Sequence, residues 1–414
     1  MTLTLSNSRL VVWMVWIIAS IFYAYQYVLR VMPNIMLHDI MQQFQIDAAT
    51  FGQFSGIYYI GYSLMHLPIG IMLDRVGPRK IMTACILLTV AGLSPLVLAD
   101  YWMYPVIGRF LIGLGSSAAI LGVFKVIRMT FREERFPRML SFSVTIGLIG
   151  AIYGGGPVNY MCEAFGYQTV IQLFAAAGIM LALVTYCIVP DVKSAPQSTV
   201  ISDIKEVLSN RRVIYSCIFA GLMVGPLEGF ADVWGTAFLK QVYGLDSTIA
   251  AGLPSMIFIG MCFGAPVLSL IAEKIGSYLL TIIGSGIAMA IVFSLLLPLH
   301  LAPGILSLLF VVVGVCCAYQ ILAIYKASTY VREQVAGLTT AVANMIIMTF
   351  GYVFHTIMGG IINAFGGPNV SQALLYGIAV IPIALFLGSS GFVYLFIKEK
   401  KNEKAAQPPC MHKA

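Results

Sequence analysis

The chain has 414 residues, 59% of them hydrophobic and 10% charged, with a net charge of +7 and a mean hydropathy of +0.91. So large an apolar share excludes an ordinary soluble domain. The basic residues are scattered over short polar segments, which excludes a nucleic-acid-binding face as the reason for the charge.

A bilayer core about 30 Å thick is crossed by roughly 20 apolar residues in a helix. Twelve runs of that kind follow one another: 11–34, 50–72, 81–99, 104–127, 139–161, 168–190, 213–239, 248–271, 279–299, 304–326, 337–361 and 372–397. Each helix satisfies its own backbone in lipid, and the period-two alternation of a membrane barrel is absent. The predicted fold class is therefore an all-α integral membrane protein with twelve transmembrane helices.

The first run is read as a retained helix, since its leading segment carries only Arg9 and no small-residue cleavage site follows. The eight cysteines have no metal-ligand spacing and read as inert thiols. With the N-terminus inside, all of the 24 Lys and Arg except Arg30, Arg109 and Lys240 fall on the inner side. The charge is thus a topology signal, and both termini are expected in the cytoplasm.

Gly70–Lys80 reads Gly-Ile-Met-Leu-Asp-Arg-Val-Gly-Pro-Arg-Lys. Glu273, Lys274 and Gly276 stand 199 positions after Asp74, Arg75 and Gly77. The same offset relates Asp47 to Asp246, Gly115 to Gly314, and Thr130 to Thr329. A constant register over such distances implies a duplicated unit. The organisation is a six-helix bundle over 1–190, a polar linker at 191–212, a second bundle over 213–398 and a charged, disordered tail at 399–414. A short amphipathic helix is expected at 201–208.

Twelve helices, the repeat and the Gly70–Lys80 turn together resemble the major facilitator superfamily. Its loop signature stands complete except for Pro78, where a basic residue is usual. Its helix-4 signature appears as Arg109 followed by Gly113-Leu-Gly115. The antiporter signature of helix 5 lacks its end, at Gly156-Pro157-Val-Asn159. Phe22–Tyr25, Leu29–Pro33, Asp74–Pro78 and Trp234–Leu245 are similar to bacterial relatives of that superfamily's lysosomal dipeptide carrier, major facilitator domain-containing protein 1. The resemblance implies two pseudo-symmetric six-helix bundles that work by alternating access. It implies a gating role for Gly70, Asp74, Arg75, Gly77 and Arg79, repeated in Glu273 and Lys274, and a coupling or packing role for Arg109.

Charges inside a bilayer are costly and need a reason. Glu228 and Asp232 lie four apart in the seventh run, on one helical face. They can titrate a proton, meet a substrate ammonium, hold a buried cation such as Arg30 across the halves, or sit near the outer mouth in a fixed salt bridge. Arg30 shares a helix side with Tyr23, Gln26 and Tyr27, an arrangement suited to a carboxylate or to an outer ion pair. Lys125 ends the fourth run, where it meets a substrate carboxylate or snorkels to the headgroups. Tyr62, His66, Tyr153, Gln320, Tyr352 and His355 complete the candidate polar lining, with Asn159 and Asn344 beside them.

There is no Walker sequence, CxxC, HExxH or nucleophile elbow, so an enzyme is not expected. The leading reading is a monomeric secondary or facilitative transporter of a small organic solute, a short peptide, amino acid or related zwitterion or anion, in a bacterial inner membrane. No cofactor is expected, and proton coupling is left open. The alternatives are a carrier of a bulkier compound such as a siderophore or drug, and a membrane receptor or scaffold without transport.

Overall fold

The computed structural model describes residues 9–191, 200–332 and 335–406. Linker positions 192–199 and the last tail positions, 407–414, lie outside the described residues. Twelve helices are long and apolar enough to cross a membrane: α1 Leu10–Asn34, α2 Ala48–Arg75, α3 Pro78–Leu98, α4 Met103–Thr130, α5 Arg138–Phe165, α6 Tyr167–Ile188, α7 Arg211–Tyr243, α8 Ser247–Ile275, α9 Tyr278–Leu296, α10 Pro303–Ser328, α11 Ala336–Ala364 and α12 Ser371–Asn402. They form the two six-helix halves that the sequence repeat implies. With an even number of spans, α1 begins and α12 ends on the same side of the bundle, the basic face, where most of the Lys and Arg lie.

Local chemistry sets the helix ends. Asp47 caps α2, its carboxylate accepting from Thr50 N at 2.8 Å. After α2 the chain reverses at Gly77, whose φ of 107° is a conformation that glycine adopts without strain. Inside α5, Gly154 and Gly155 interrupt the helix before Gly156–Phe165 restarts it, with Pro157 in the new first turn. Helix α7 contains Pro226 and, just after it, a π-helical turn over Phe230–Trp234. Such turns distort a helix locally and are common where side chains must be re-aimed.

The halves are fastened together on the side away from the basic face. There α2 and α11 approach closely through small residues. A Cβ at Gly52 would lie 3.2 Å from the Gly359 Cα, and one at Gly56 would lie 3.1 Å from the Tyr352 Cα. Asn363 donates to Asp47 at 3.0 Å, and Ser247 to Asn159 at 3.4 Å, both across the halves. Toward the basic face, named ion pairs join residues of the same half: Asp74–Lys125 in the first, Lys326–Glu399 in the second.

Two expectations about the polar segments are refined. Residues Val200–Ser209 form the short helix foreseen at 201–208. It is tied to the second half by Glu206 and Asp203, which pair with Arg332, and by Asn210, which donates to the Tyr330 carbonyl at 2.8 Å. The tail expected to be disordered from 399 is instead helical to Ala406. Glu399 pairs with Lys326 at 2.6 Å, and the Lys- and Glu-rich sequence that follows favours continuation of the helix.

Candidate substrate site

Four residues before the end of α1, Arg30 meets both acids of α7. Its Nε donates to Asp232 Oδ2 at 2.7 Å, and its terminal nitrogen pairs with Glu228. No more than a tenth of any of these three side chains is exposed. The sequence places Glu228 and Asp232 on one face, and the π-turn that begins at Phe230 adjusts that face so that both carboxylates reach one guanidinium. Of the open readings for this pair, the structure realises the one in which it holds a buried cation from the other half.

Tyr59 completes the cluster. Its hydroxyl donates to Asp232 and lies 3.2 Å from Glu228 Oε2, and its ring sits 5.4 Å from the Arg30 guanidinium carbon. Tyr27 lies on another side of Arg30, at 5.0 Å, with Tyr23 packed edge-on to it. Asn34, one turn beyond Arg30, donates to the Ala231 carbonyl at 3.4 Å. Asp232 Oδ1 is buried and has no partner among the described residues.

Arg109 of α4 plays a different part. Its two terminal nitrogens donate to the carbonyls of Leu29 and Arg30, at 2.6 and 2.8 Å, while its guanidinium covers Tyr58 at 4.9 Å. It is fully buried and satisfies backbone groups near the end of α1. It therefore positions Arg30 and is engaged by the protein itself. Tyr58 in turn donates to Gln26 at 2.7 Å, which fixes α2 against α1.

Other candidates gather more loosely. His355 is buried, bonds the Gly351 carbonyl through Nδ1 at 2.6 Å and packs 5.3 Å from Tyr59. Tyr62 and His66 continue the α2 face below Tyr59, with ring centroids 5.3 Å apart. Gln320 and Asn344 join at 3.4 Å, and Tyr352 packs against Gly56. Tyr62, Gln320, Asn344 and Tyr352 are half-buried.

Two candidates stand apart. Tyr153 is 45% exposed, its hydroxyl 3.6 Å from Met161 of the same helix. Gly150 and Gly154 turn their face of α5 onto α1, which leaves Tyr153 on the outer surface. Lys125 pairs with Asp74 at 2.7 Å, one end of the membrane away from Arg30.

In the loop signature, Asp74 therefore bonds within its own half. Arg79 donates to the Val189 carbonyl at 2.6 Å, Gly70 is half-buried and Arg75 is exposed. Their counterparts Glu273 and Lys274 are exposed at the end of α8, where Gly276 turns the chain with a φ of 70°. Among the described residues no group of three His, Cys, Asp or Glu side chains converges as a metal site would.

Sequence reasoning missed Tyr59 as a member of the cluster, as well as Asn34. Tyr59 is visible in the sequence as one of three tyrosines lining the second run, but nothing local marks it as the one that reaches α7.

A profile of the Major Facilitator Superfamily matches residues 15–355. The chain belongs to the major facilitator superfamily. It is thus a multi-pass membrane protein of that family, as the loop and helix-4 signatures implied. It is 26% identical over 164 residues to a putative metabolite transport protein, NicT, of Pseudomonas putida, covering 37% of each chain. Over 180 residues it is 23% identical to the lysosomal dipeptide transporter MFSD1 of Gallus gallus, covering 43% of this chain and 39% of that protein. The matches therefore span well under half the length of these two relatives. Among solved structures, a bacterial homolog of the human lysosomal transporter Spinster aligns over 98% of this chain and 100% of its own, with a TM-score of 0.69 at 18% identity. That likeness is one of fold.

Proposed function

We propose that the protein carries a small zwitterionic organic solute, an amino acid or short peptide, by alternating access at the Arg30–Glu228–Asp232 cluster. The observation that carries this reading is that buried charges, Arg30 in one half and Glu228 and Asp232 in the other, are paired with each other.

Parting the halves on the closed side separates Arg30 from Glu228 and Asp232. Leaving either partner unpaired in a low-dielectric interior costs several kcal/mol. An anionic solute that takes Arg30 strands two carboxylates. A cationic solute that takes the carboxylates strands Arg30. A zwitterion does neither, because its carboxylate replaces the acids at Arg30 and its ammonium replaces the guanidinium at Glu228 and Asp232. Bidentate pairing of a carboxylate by arginine suits the first contact.

One guanidinium faces two carboxylates, so a single further positive charge balances the cluster. In this reading a proton supplies it, and solute movement is proton-coupled. The basic face is the cytoplasmic side of a bacterial inner membrane, by the excess of Lys and Arg there. The structure is then closed toward the outside. Asp74, which the family resemblance assigns to the lock of the other state, rests on Lys125 in its own half. The similarity to a transporter named for dipeptides agrees with a zwitterionic cargo.

The test is uptake of labelled amino acids and dipeptides by the purified protein in liposomes, with and without a proton gradient. Arg30→Ala and Glu228→Gln each abolish uptake if the reading holds. Normal uptake by both variants overturns it.

A further inference from the structure

The charge cluster is the end of a row of rings. On α1, Tyr23 and Tyr27 pack with centroids 5.2 Å apart, next to Arg30. On α2, Tyr58 contacts Tyr59 at 5.4 Å and stacks on Tyr62 at 6.1 Å, and Tyr62 contacts His66 at 5.3 Å. The row therefore descends from the cluster toward the basic face along one wall of the interface. His66 is 5% exposed, and its Nδ1 is buried without a partner among the described residues. A buried polar atom left unsatisfied is costly unless something else meets it.

The second half supplies the facing wall. Gln320 and Asn344 present an amide pair, 3.4 Å between donor and acceptor, and Tyr352, about two turns along α11 from Asn344, packs against Gly56 of α2. None of Tyr62, Gln320, Asn344 and Tyr352 carries a charge, and all are half-buried. Farther along toward the basic face stands the ion pair Asp74–Lys125.

We propose that Tyr62 and His66, faced by Gln320 and Asn344, form a side-chain subsite that selects substrates bearing an uncharged, ring-containing side chain. The inference rests on the zwitterion reading above, which fixes the charged end of the substrate at Arg30, Glu228 and Asp232. The rest of the molecule then extends along this wall. A planar ring finds the edges and faces of Tyr62 and His66, an arrangement that favours aromatic partners beyond the area they bury. A hydroxyl or N–H on that ring meets His66 Nδ1 and the two amides. A charged side chain loses its hydration against uncharged groups when the halves close over it, and is disfavoured.

The test measures affinities of the intact protein in lipid nanodiscs for four amino acids, phenylalanine, tyrosine, leucine and glutamate, and for the dipeptides carrying each of them after alanine. Both ring-bearing ligands should bind about three- to tenfold more tightly than leucine, with glutamate weakest. Tyr62→Leu should remove the preference for ring-bearing ligands over leucine, and Tyr62→Phe should keep it. His66→Leu should cancel the advantage of tyrosine over phenylalanine. If zwitterions bind without preferring rings, or if the preference survives Tyr62→Leu, the subsite is refuted while the charge-exchange reading stands. If no zwitterion binds the wild-type protein, the charge-exchange reading fails and the subsite falls with it.

Discussion

Arg30 and Asp232 stand 202 positions apart in the chain, in opposite halves, yet Nε and Oδ2 meet at 2.7 Å with 8% and 1% of their side chains exposed. Glu228 joins the same guanidinium. An ion pair in this position does two things at once. It holds the halves together in one state, and it must be broken for the other state to form.

Removing one member of such a pair should cost more than removing both. Arg30→Ala leaves two buried carboxylates facing each other, a loss of about 3–5 kcal/mol. The triple variant Arg30→Gln, Glu228→Gln and Asp232→Asn keeps the shape and removes the charges, so it should recover most of that stability without recovering transport. Unfolding in detergent, followed by fluorescence, measures the first quantity, and liposome uptake the second.

Arg109 should act through Arg30. Its two charge-assisted bonds to the carbonyls of Leu29 and Arg30 are worth about 1.5–3 kcal/mol each. Arg109→Leu should lower stability and, in whatever protein folds, raise the substrate KM as α1 loses its register. Arg109→Lys, which can meet only part of that geometry, should fall between. A KM unchanged in both variants would leave Arg109 with packing alone.

The close approach of α2 and α11 leaves no room at Gly52, where an added Cβ lies 3.2 Å from the Gly359 Cα and nearer still to the His355 carbonyl. Gly52→Leu should therefore force the halves apart on the closed side. Spin labels at Gln42 and Asn369, both exposed on that side, should report a longer and broader distance distribution in the variant than in the wild type.

Asp47 gives the closed side a dependence on acid. Hydrogen bonds from Thr50, and secondarily from Asn363, hold its carboxyl below the ordinary value of 3.8. A carboxyl lowered in this way stabilises the folded protein fully above its ordinary pKa. That contribution is lost as pH falls through the lowered value. Thermal unfolding should show an acid-dependent loss below about pH 4 that is reduced in Asp47→Ala. At neutral pH the same variant should be less stable by about 1 kcal/mol, the usual worth of a helix cap.

Much of this architecture was readable from residues alone. The twelve runs coincide with the twelve helices because a span must be apolar over its whole length, and that is a local property. Arg30, Glu228 and Asp232 stood out for the complementary reason, as charges where charges are costly. Their pairing was one of several options, since no local pattern relates α1 to α7. Tyr59 was one of three tyrosines on the second run, with nothing local to mark it as the one that reaches α7, and the π-turn at Phe230–Trp234 has no signature beyond a nearby proline. Tyr153 misled because polarity within a span does not say which way the side chain faces; the glycines at 150 and 154 decide that by packing on α1. The helical tail was misread because its charge suggested solvation, while its contact with Lys326 lies in another helix.

The central claim is that a solute enters by exchanging charges with the Arg30 cluster, and it is tested most directly by three ligands of nearly equal shape. An amino acid, its N-acetyl derivative and its amide are respectively zwitterion, anion and cation. Binding of each to the wild-type protein in nanodiscs, by calorimetry at one pH, should show the zwitterion bound and both derivatives weakened at least tenfold, the cost of one stranded charge being well above 1.4 kcal/mol. Equal binding of the anion, or of the cation, would contradict the account, because the cluster would then tolerate an unbalanced charge.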